Sequence, residues 1–215
     1  MHQNKVDRAP VLPFSAVPIR LLVGLGNPGA QYTKTRHNVG FWFLDRLASL
    51  HGIALRLDSR FVGEFGRLRE GDLDTYLLKP LLYMNRSGHS VAAAARYYGI
   101  EAPRILVVHD DLDLAPGVVR LKLGGGHGGN NGVRDILNQL GTGDFLRLRF
   151  GVGHPGSHDA VIPFLLSRPS EEQNALIDTA IERGLREAGE LLRGRLEGVM
   201  NRLHSWRSPE QAAQG

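Results

Sequence analysis

A short apolar run at residues 19–23 leads directly into a glycine-rich loop at residues 24–29. An apolar run that breaks into glycine is typical of a buried strand entering a turn with unusual backbone angles. The loop matches the G-x-G-x-x-G fingerprint of dinucleotide-binding proteins, but that fingerprint requires a helix to start within the loop. Residues 30–37 show no helical period. We therefore expect the loop to serve another purpose, and it leads to His37 and to Asn38, a predicted helix N-cap.

The chain has 215 residues, of which 42% are hydrophobic, and this is enough to bury one core in a single domain. It contains no cysteine, so disulfides are excluded and a reducing, cytoplasmic location is expected. No apolar run approaches the roughly 20 residues of a membrane span, so no membrane association is predicted. We assign residues 18–206 to the domain, residues 1–17 to a poorly ordered extension and residues 207–215 to a flexible tail.

Positive charge is in modest excess, with 26 Lys and Arg against 22 Asp and Glu and a net charge of +4. Only four of the cations are lysine, so the charge lies mainly on planar guanidinium groups that suit phosphate. This balance permits a polyanionic partner without requiring one. A solvated, arginine-rich surface is the alternative.

Periodicity predicts strands that alternate with helices, together with one hairpin. Helical patterns occupy residues 39–50, 91–98 and 133–140, and a long pattern from residue 171 forms one helix or two helices broken near residues 194–198. Strand patterns occupy residues 19–23, 61–69, 72–80, 104–108, 118–123 and 145–152, with a hairpin turn at residues 70–72. The predicted fold class is α/β: a single domain with a twisted, mixed (parallel and antiparallel) central sheet and helices on both faces.

Two ionisable side chains are candidates for acid-base catalysis. His37 follows the glycine loop, and Asp110 follows the strand at residues 104–108, at the end where α/β sheets bind ligands. A carboxylate that accepts from one imidazole nitrogen fixes the tautomer and leaves the other nitrogen free to take a proton from water. Such a pair makes a hydrolase without a covalent nucleophile. The alternatives are a polar helix-boundary residue for His37 and a turn or N-cap residue for Asp110.

A metal site is a competing interpretation, because residues 109–113 contain four potential ligands: His109, Asp110, Asp111 and Asp113. Neighbouring residues on an extended strand point to opposite sides, however. His154 and His158 have a helical ligand spacing, but a Pro-Gly pair between them breaks any helix. A serine nucleophile is disfavoured because the chain has no Gly-x-Ser-x-Gly motif.

Three asparagines beside glycine or turn residues are candidates for binding an ester or peptide main chain or an oxyanion: Asn27, Asn85 and Asn131. Each is also a natural turn residue. The glycine-rich loop at residues 124–132 is interpreted as a mobile lid or as a surface that a nucleic-acid backbone approaches closely, and it lacks the Lys-Ser/Thr of a P-loop. Basic residues near this loop could bind phosphate or simply be solvated: Arg120, Lys122, Arg134, Arg147 and Arg149.

In combination and order, these features resemble the bacterial-type peptidyl-tRNA hydrolases. The matching stretches are LLVGLGNPGAQYTKTRHNVGFWFLD, LLKPLLYMNRSG, ILVVHDDLDLAPG, LKLGGGHGGNNGVRDI, LRLRFGVGHPG and NRLH, and together they span residues 18–206. The resemblance implies a monomer that needs no metal or other cofactor and acts on peptidyl-tRNA. It implies cleavage of the ester between the peptide and the 3′-terminal ribose, which returns free tRNA to translation.

The resemblance also implies roles for individual residues. His37 takes the position of the general base, and Asp110 that of the carboxylate that holds the imidazole. Asn27, Asn85 and Asn131 match asparagines that position the peptidyl-ribose, orient water or assist the oxyanion, and Asn27 is assigned to catalysis with the pair. The other matches are Tyr32 and Met84 in the cleft, and Lys122, Arg149 and the flanking Arg120 at the 5′-phosphate of tRNA.

Three positions depart from the family pattern. Asn130 stands before Asn131 where the family often has histidine, His158 stands where some relatives have lysine, and Asp111 replaces a common glutamate. These changes bear on rate and tRNA affinity rather than on the reaction class. Two other functions stay open: a non-catalytic RNA-binding module with the same fold and, on the glycine pattern alone, a nucleotide-dependent oxidoreductase.

Overall fold

The computed structural model describes residues 17–205 of the chain. In this range the strands are β1 (Leu21–Gly24), β2 (Arg56–Asp58), β3 (Gly63–Glu70), β4 (Leu73–Pro80), β5 (Ile105–Asp111), β6 (Val119–Leu123) and β7 (Leu146–Gly151). The α-helices are α1 (Val39–Leu50), α2 (Ser87–Tyr98), α3 (Asn131–Leu140), α4 (Val161–Leu165), α5 (Glu171–Leu192) and α6 (Leu196–His204). Short 3₁₀ turns lie at Ala30–Tyr32, Arg36–Asn38, Met84–Arg86, Ala102–Arg104 and His158–Ala160. Apart from Val17, the predicted extension and tail lie outside the described residues.

The strands form one mixed sheet in the order β2-β3-β4-β1-β5-β7-β6. β1 runs parallel to β4 and β5, and β5 runs parallel to β7. The outer pairs β2–β3, β3–β4 and β6–β7 are antiparallel. β1 and β5 are buried along their whole length, as expected of central parallel strands that are covered on both faces.

Helices cover both faces of this sheet and enclose two apolar cores. α1, α5 and α6 pack on one face, where Phe43, Leu148 and Ile181 are buried. α2 and α3 pack on the other face, where Val91 and Ile136 are buried. The predicted mixed sheet with helices on both faces is therefore confirmed. Among residues 17–205, no helix is both long enough and apolar enough to cross a membrane.

Several element boundaries differ from the predicted ones. β5 continues through Asp111 instead of ending at residue 108, because its last residues pair with β7. α2 begins at Ser87 instead of residue 91. The C-terminal pattern is two helices, and Gly194 between them has a φ of 79°. The sequence does not predict β2 or α4, because three and five residues are too few to show a period.

The direction of the central strands brings distant segments to one edge. β1 and β5 run side by side, with Gly24 opposite Val108. The glycine loop after β1 and Asp110 at the end of β5 therefore emerge at the same edge of the sheet.

Two glycines, Gly24 and Gly40, allow α1 to pack closely against the end of β1. A Cβ atom on Gly40 would lie 2.4 Å from the backbone nitrogen of Leu25 and 2.4 Å from the carbonyl oxygen of Val108. A Cβ atom on Gly24 would lie 2.4 Å from the carbonyl oxygen of Gly40. Since backbone atoms cannot rotate away as a side chain can, these glycines serve close helix–strand packing.

We expect Gly40→Ala to destabilise the protein by about 1–3 kcal/mol, as overpacking of a filled site does. The measurement is the thermal midpoint of unfolding, which shifts by about 2–4 °C per kcal/mol for a chain of this size. Gly126→Ala is the control, because its added Cβ atom would meet nothing within 4 Å. Equal midpoints for the two variants would contradict the close approach of α1 to β1.

Candidate active site

The glycine loop after β1 is fixed by two asparagines. Asn38 accepts at Oδ1 from the backbone nitrogen of Asn27 (2.8 Å) and donates from Nδ2 to the backbone oxygen of Asn27 (3.0 Å). The side-chain oxygen of Asn27 in turn accepts from the backbone nitrogen of Met84 (2.8 Å). Asn38 occupies the predicted N-cap position of α1, but its side chain makes no capping hydrogen bond and binds the loop instead.

His37 and Asp110 form a buried, hydrogen-bonded pair. His37 Nδ1 lies 2.8 Å from Asp110 Oδ1, and the two side chains are 9% and 3% exposed. Burial lowers the pKa of His37, but the charge of Asp110 and the hydrogen bond to it outweigh burial, so the pKa of His37 is raised overall. Because Nδ1 faces the carboxylate, Nε2 is the ring nitrogen on the opposite side, and His37 is one of the residues that line a cleft.

This cleft has a volume of about 460 Å³ and brings most of the predicted site residues together. Its predicted members are His37, Asn27, Tyr32, Met84, Asn85 and Asn131. Its other lining residues are mainly apolar: Tyr83, Gly129, Val161, Ile162, Leu165 and Leu166. Two larger grooves, of about 540 and 830 Å³, flank α5 and are lined by other residues. The cleft therefore combines three amides and an imidazole with an apolar wall, as ligand sites commonly do.

Asn130 connects Asp110 to the start of α3. Its Nδ2 donates to Asp110 Oδ1 (3.1 Å). Its Oδ1 accepts from the backbone nitrogens of Gly132 (3.0 Å) and Val133 (3.1 Å), so Asn130 is the N-cap of α3. Asn131 is the first residue of that helix and lies in the cleft.

Arg36, the residue before His37, binds the last turn of α4 and the residues that follow it. Its Nη1 donates to the backbone oxygens of Phe164 (3.2 Å), Ser167 (3.2 Å) and Arg168 (3.0 Å). Its guanidinium carbon lies 4.0 Å from the centre of the Phe164 ring. Because α4 supplies the apolar wall of the cleft, Arg36 ties that wall to the turn that carries His37.

Four cationic side chains share one face of the edge strand β6 and its neighbour β7. Arg120 lies opposite Arg149, and Lys122 lies opposite Arg147. Burial lowers the pKa of Lys122, and the positive charges of Arg147 and Arg149 lower it further. Arg149 Nε donates to Asp111 Oδ2 (2.6 Å). This concentration of like charge favours binding of an anion.

The glycine-rich loop after β6 folds over part of this basic face. Arg147 donates from Nη1 to the backbone oxygen of Gly126 (2.7 Å) and from Nη2 to that of Gly124. A Cβ atom on Gly125 would lie 3.1 Å from Lys122 Cε. The loop thus depends on glycine where it meets these cations. The two predicted uses of the loop, as a lid or as a surface for a nucleic-acid backbone, stay predictions.

The potential metal ligands at the end of β5 bind separate partners. His109 donates from Nδ1 to the backbone oxygen of Asp110 (2.7 Å), and burial lowers the pKa of His109. The side chain of Asp110 binds His37, and that of Asp111 binds Arg149. Within residues 17–205, no three His, Asp or Glu side chains are grouped so that they could hold a metal ion.

A family model described as peptidyl-tRNA hydrolase matches residues 21–212. The chain belongs to the peptidyl-tRNA hydrolase family. The peptidyl-tRNA hydrolase of Methylococcus capsulatus is 56% identical over 186 residues, which cover 86% of this chain and 99% of that protein. The peptidyl-tRNA hydrolase of Methylobacillus flagellatus is 52% identical over 187 residues, which cover 87% and 97%.

Solved peptidyl-tRNA hydrolase structures have the same fold. The enzyme from Acinetobacter baumannii superimposes with a TM-score of 0.85 at 46% identity, covering 88% of this chain and 96% of that chain. A peptidyl-tRNA hydrolase in complex with N-propanol gives a TM-score of 0.85 at 45% identity, with the same coverage. The predicted family, fold class and enzyme class are confirmed. The oxidoreductase alternative fails, because the glycine loop leads into a 3₁₀ turn at Ala30–Tyr32 and not into an α-helix.

The sequence alone did not indicate the apolar wall of this peptidyl-tRNA hydrolase cleft, nor the contacts of two residues that support the cleft from outside its lining. These two residues, Arg36 and Asn130, each adjoin a predicted site residue, and this adjacency was the available signal. The wall at residues 161–166 could have been found as an apolar run that follows the turn at residues 154–156. The contacts of Asn38 had no local signal, since a residue before a helix is usually its cap.

Proposed function

We propose that this family member cleaves the ester bond between a peptide and the 3′-terminal ribose of tRNA, with His37 as the general base oriented by Asp110. The observation that carries the proposal is the buried 2.8 Å contact between His37 Nδ1 and Asp110 Oδ1 beside a cleft lined by three asparagines. An ester to a ribose hydroxyl has a better leaving group than an amide. One base, one oriented water and amide donors are therefore enough for this reaction.

The proton follows one path through the imidazole. Asp110 accepts from Nδ1–H, so Nε2 carries the lone pair and takes a proton from water as the water oxygen attacks the ester carbonyl carbon. Asp110 stabilises the imidazolium while the tetrahedral oxyanion exists. When the bond to the ribose 3′ oxygen breaks, the imidazolium returns the proton to that oxygen. The products are a tRNA with a free 3′ hydroxyl and a peptide with a free carboxyl group.

The amides and the cleft wall hold the substrate around this pair. Because the oxygen of Asn27 accepts from Met84 (2.8 Å), its NH₂ group is the end that donates to the ester carbonyl or oxyanion. Asn85 and Asn131 bind the peptidyl-ribose, and Tyr32 and Met84 contact the peptide. Loss of one oxyanion donor typically costs about 10²–10³-fold in rate.

The basic face of β6 and β7 binds the 5′-phosphate of tRNA through Lys122, Arg149 and Arg120. We expect Lys122→Ala to raise KM for the tRNA substrate several-fold and to leave kcat close to that of the wild type, because the residue neutralises phosphate and contacts no reacting atom. The slope of log affinity against log salt should become shallower by roughly one unit or slightly less. Steady-state kinetics at a series of salt concentrations measures both effects.

Arg56→Ala is the control for this prediction. Arg56 is an exposed cation on β2, at the opposite edge of the sheet from β6. The Arg56→Ala substitution removes the same unit of positive charge as Lys122→Ala, but far from the proposed phosphate site. If the two variants change the salt slope equally, Lys122 acts only through net charge and the phosphate assignment is wrong.

The reaction itself is tested with an N-blocked aminoacyl-tRNA and purified protein, with and without a chelator. We propose hydrolysis that needs no metal or other cofactor, so release of the blocked amino acid should be equal in both conditions. Loss of release with the chelator would contradict metal independence. Retention of RNA without any release would indicate a non-catalytic RNA-binding module instead.

We also propose that the protein acts in the cytoplasm as a monomer built on one domain, residues 18–206. The support is the family's role in translation and the one mixed sheet found in residues 17–205, whose connecting loops, turns and helices supply the cleft residues. Sedimentation equilibrium should give a mass of one chain. A dimer mass would contradict the proposal.

A further inference from the structure

The Asp110 carboxylate is contacted at one oxygen by two different side chains. Oδ1 lies 2.8 Å from His37 Nδ1 and 3.1 Å from Asn130 Nδ2. Asp110 and Asn130 are 3% and 7% exposed, so water has little access to either group. In such surroundings a hydrogen bond to a charged oxygen is stronger than it would be in water.

The orientation of the Asn130 amide follows from its partners. Its other end meets two backbone N–H groups, of Gly132 (3.0 Å) and Val133 (3.1 Å), which can only donate. The oxygen must therefore face α3, and the NH₂ group must face the carboxylate. A reversed amide would set donors against donors and an oxygen against the negative charge of Asp110.

We propose that Asn130 is a positioning residue that fixes the Asp110 carboxylate to the N-terminus of α3 and shares the negative charge of Oδ1 with His37. This inference rests on the proposed roles of His37 and Asp110. Asn130 lies behind Asp110 and is not among the residues that line the cleft, whereas its neighbour Asn131 is. Its effect on the reaction is therefore exerted through the carboxylate.

Charge sharing predicts in which direction the pKa of His37 changes when the amide of Asn130 is removed. With its NH₂ group gone, Oδ1 interacts with His37 alone, so the imidazolium is stabilised further. Asp110 is the charged group that acts on His37 within the described residues. Of the neighbouring ionisable groups, His109 is buried with a lowered pKa, and Arg36 is directed at the segment after α4. The base of the variant should therefore be protonated up to a higher pH than that of the wild type.

Two substitutions separate this role from helix capping. Asn130→Ser keeps an oxygen that can cap α3 but is too short to donate to Asp110. Asn130→Asp keeps the shape and the cap but replaces the NH₂ donor with a carboxylate oxygen. Two carboxylates this close repel each other and add to the negative charge near His37. The thermal midpoint of unfolding reports the cap, and the pH dependence of kcat/KM reports the base.

We expect Asn130→Ser to lower kcat roughly tenfold at pH 7 with KM unchanged, and to move the acidic limb of the profile up by about one pH unit. Asn130→Asp should move the limb further in the same direction. Asn130→Ser should unfold near the wild-type temperature, whereas Asn130→Asp should unfold at a lower temperature because its buried carboxylate repels that of Asp110. The proposal would be overturned by an acidic limb of the kcat/KM profile that stays in place or moves to lower pH, or by a change in KM alone. It would also be overturned if Asn130→Ser lost its thermal unfolding transition while the folded fraction kept normal activity.

The same inference is tested without any reaction. A pH titration of the His37 ring by NMR gives its pKa in the wild type and in both variants. The expected order is wild type lowest and Asn130→Asp highest, and any other order contradicts charge sharing. If the wild type fails to cleave the tRNA substrate, the proposed function fails, yet this titration still decides whether Asn130 acts on the pair.

Discussion

Alanine in place of His37 should lower kcat/KM for an N-blocked aminoacyl-tRNA by about 10²–10⁴-fold, the usual contribution of a general base. The loss should fall on kcat, because the asparagines and the apolar wall of the cleft remain. Release of the labelled, blocked amino acid at limiting and saturating substrate measures both constants. In the wild type, the same rate should decline as the pH falls through the raised pKa of His37, because a protonated ring cannot accept a proton.

The control for this variant is His51→Ala. His51 lies just after the opposite end of α1, where its Nδ1 is 2.8 Å from Glu70 Oε2. Both variants should keep the wild-type circular dichroism spectrum, so that any loss of rate reports chemistry and not folding. Near-normal turnover by a folded His37→Ala protein would remove the imidazole from the mechanism.

Asp110→Asn should lower kcat by roughly 10²–10⁴-fold, although the side chain keeps its shape. An amide carries no charge and cannot stabilise the imidazolium that forms during proton transfer. Its NH₂ group can also donate to Nδ1, which places the ring proton on Nε2, the atom that must accept. Because the charge of Asp110 raises the pKa of His37, removing that charge should move the acidic limb of the pH profile to lower pH.

Asp113→Asn is the matched control, since Asp113 is an exposed aspartate three positions along the chain. It should retain the wild-type rate and pH profile. An acidic limb that stays in place in Asp110→Asn would show that this carboxylate does not act on the base. That result would leave the buried pair without a catalytic role.

Local sequence patterns predict the elements that carry this site. The apolar run of β1, the turn at residues 70–72 and the start of α1 near residue 39 each depend on residues within a few positions of one another. The direction of a parallel sheet then brings the end of β1 and the end of β5 to one edge. The meeting of His37 and Asp110 could be expected from these rules, whereas the 2.8 Å contact between them could not.

The missed parts depend on contacts between segments far apart in sequence. Asn38 precedes α1 and has the residue type of a cap, but both of its polar side-chain groups bind the backbone of Asn27, which outweighs the local preference. The partner of Asn130 at Asp110 lies 20 residues earlier in the chain. No helical or strand period records such a contact.

The contacts of Arg36 with the end of α4 and the residues after it have a consequence for the geometry of the site. The guanidinium holds three backbone oxygens of residues 164–168 while its own backbone continues into His37. Any outward movement of α4 would therefore pull on the backbone beside His37. The wall of the cleft and the position of the imidazole are thus mechanically coupled through the Arg36 side chain.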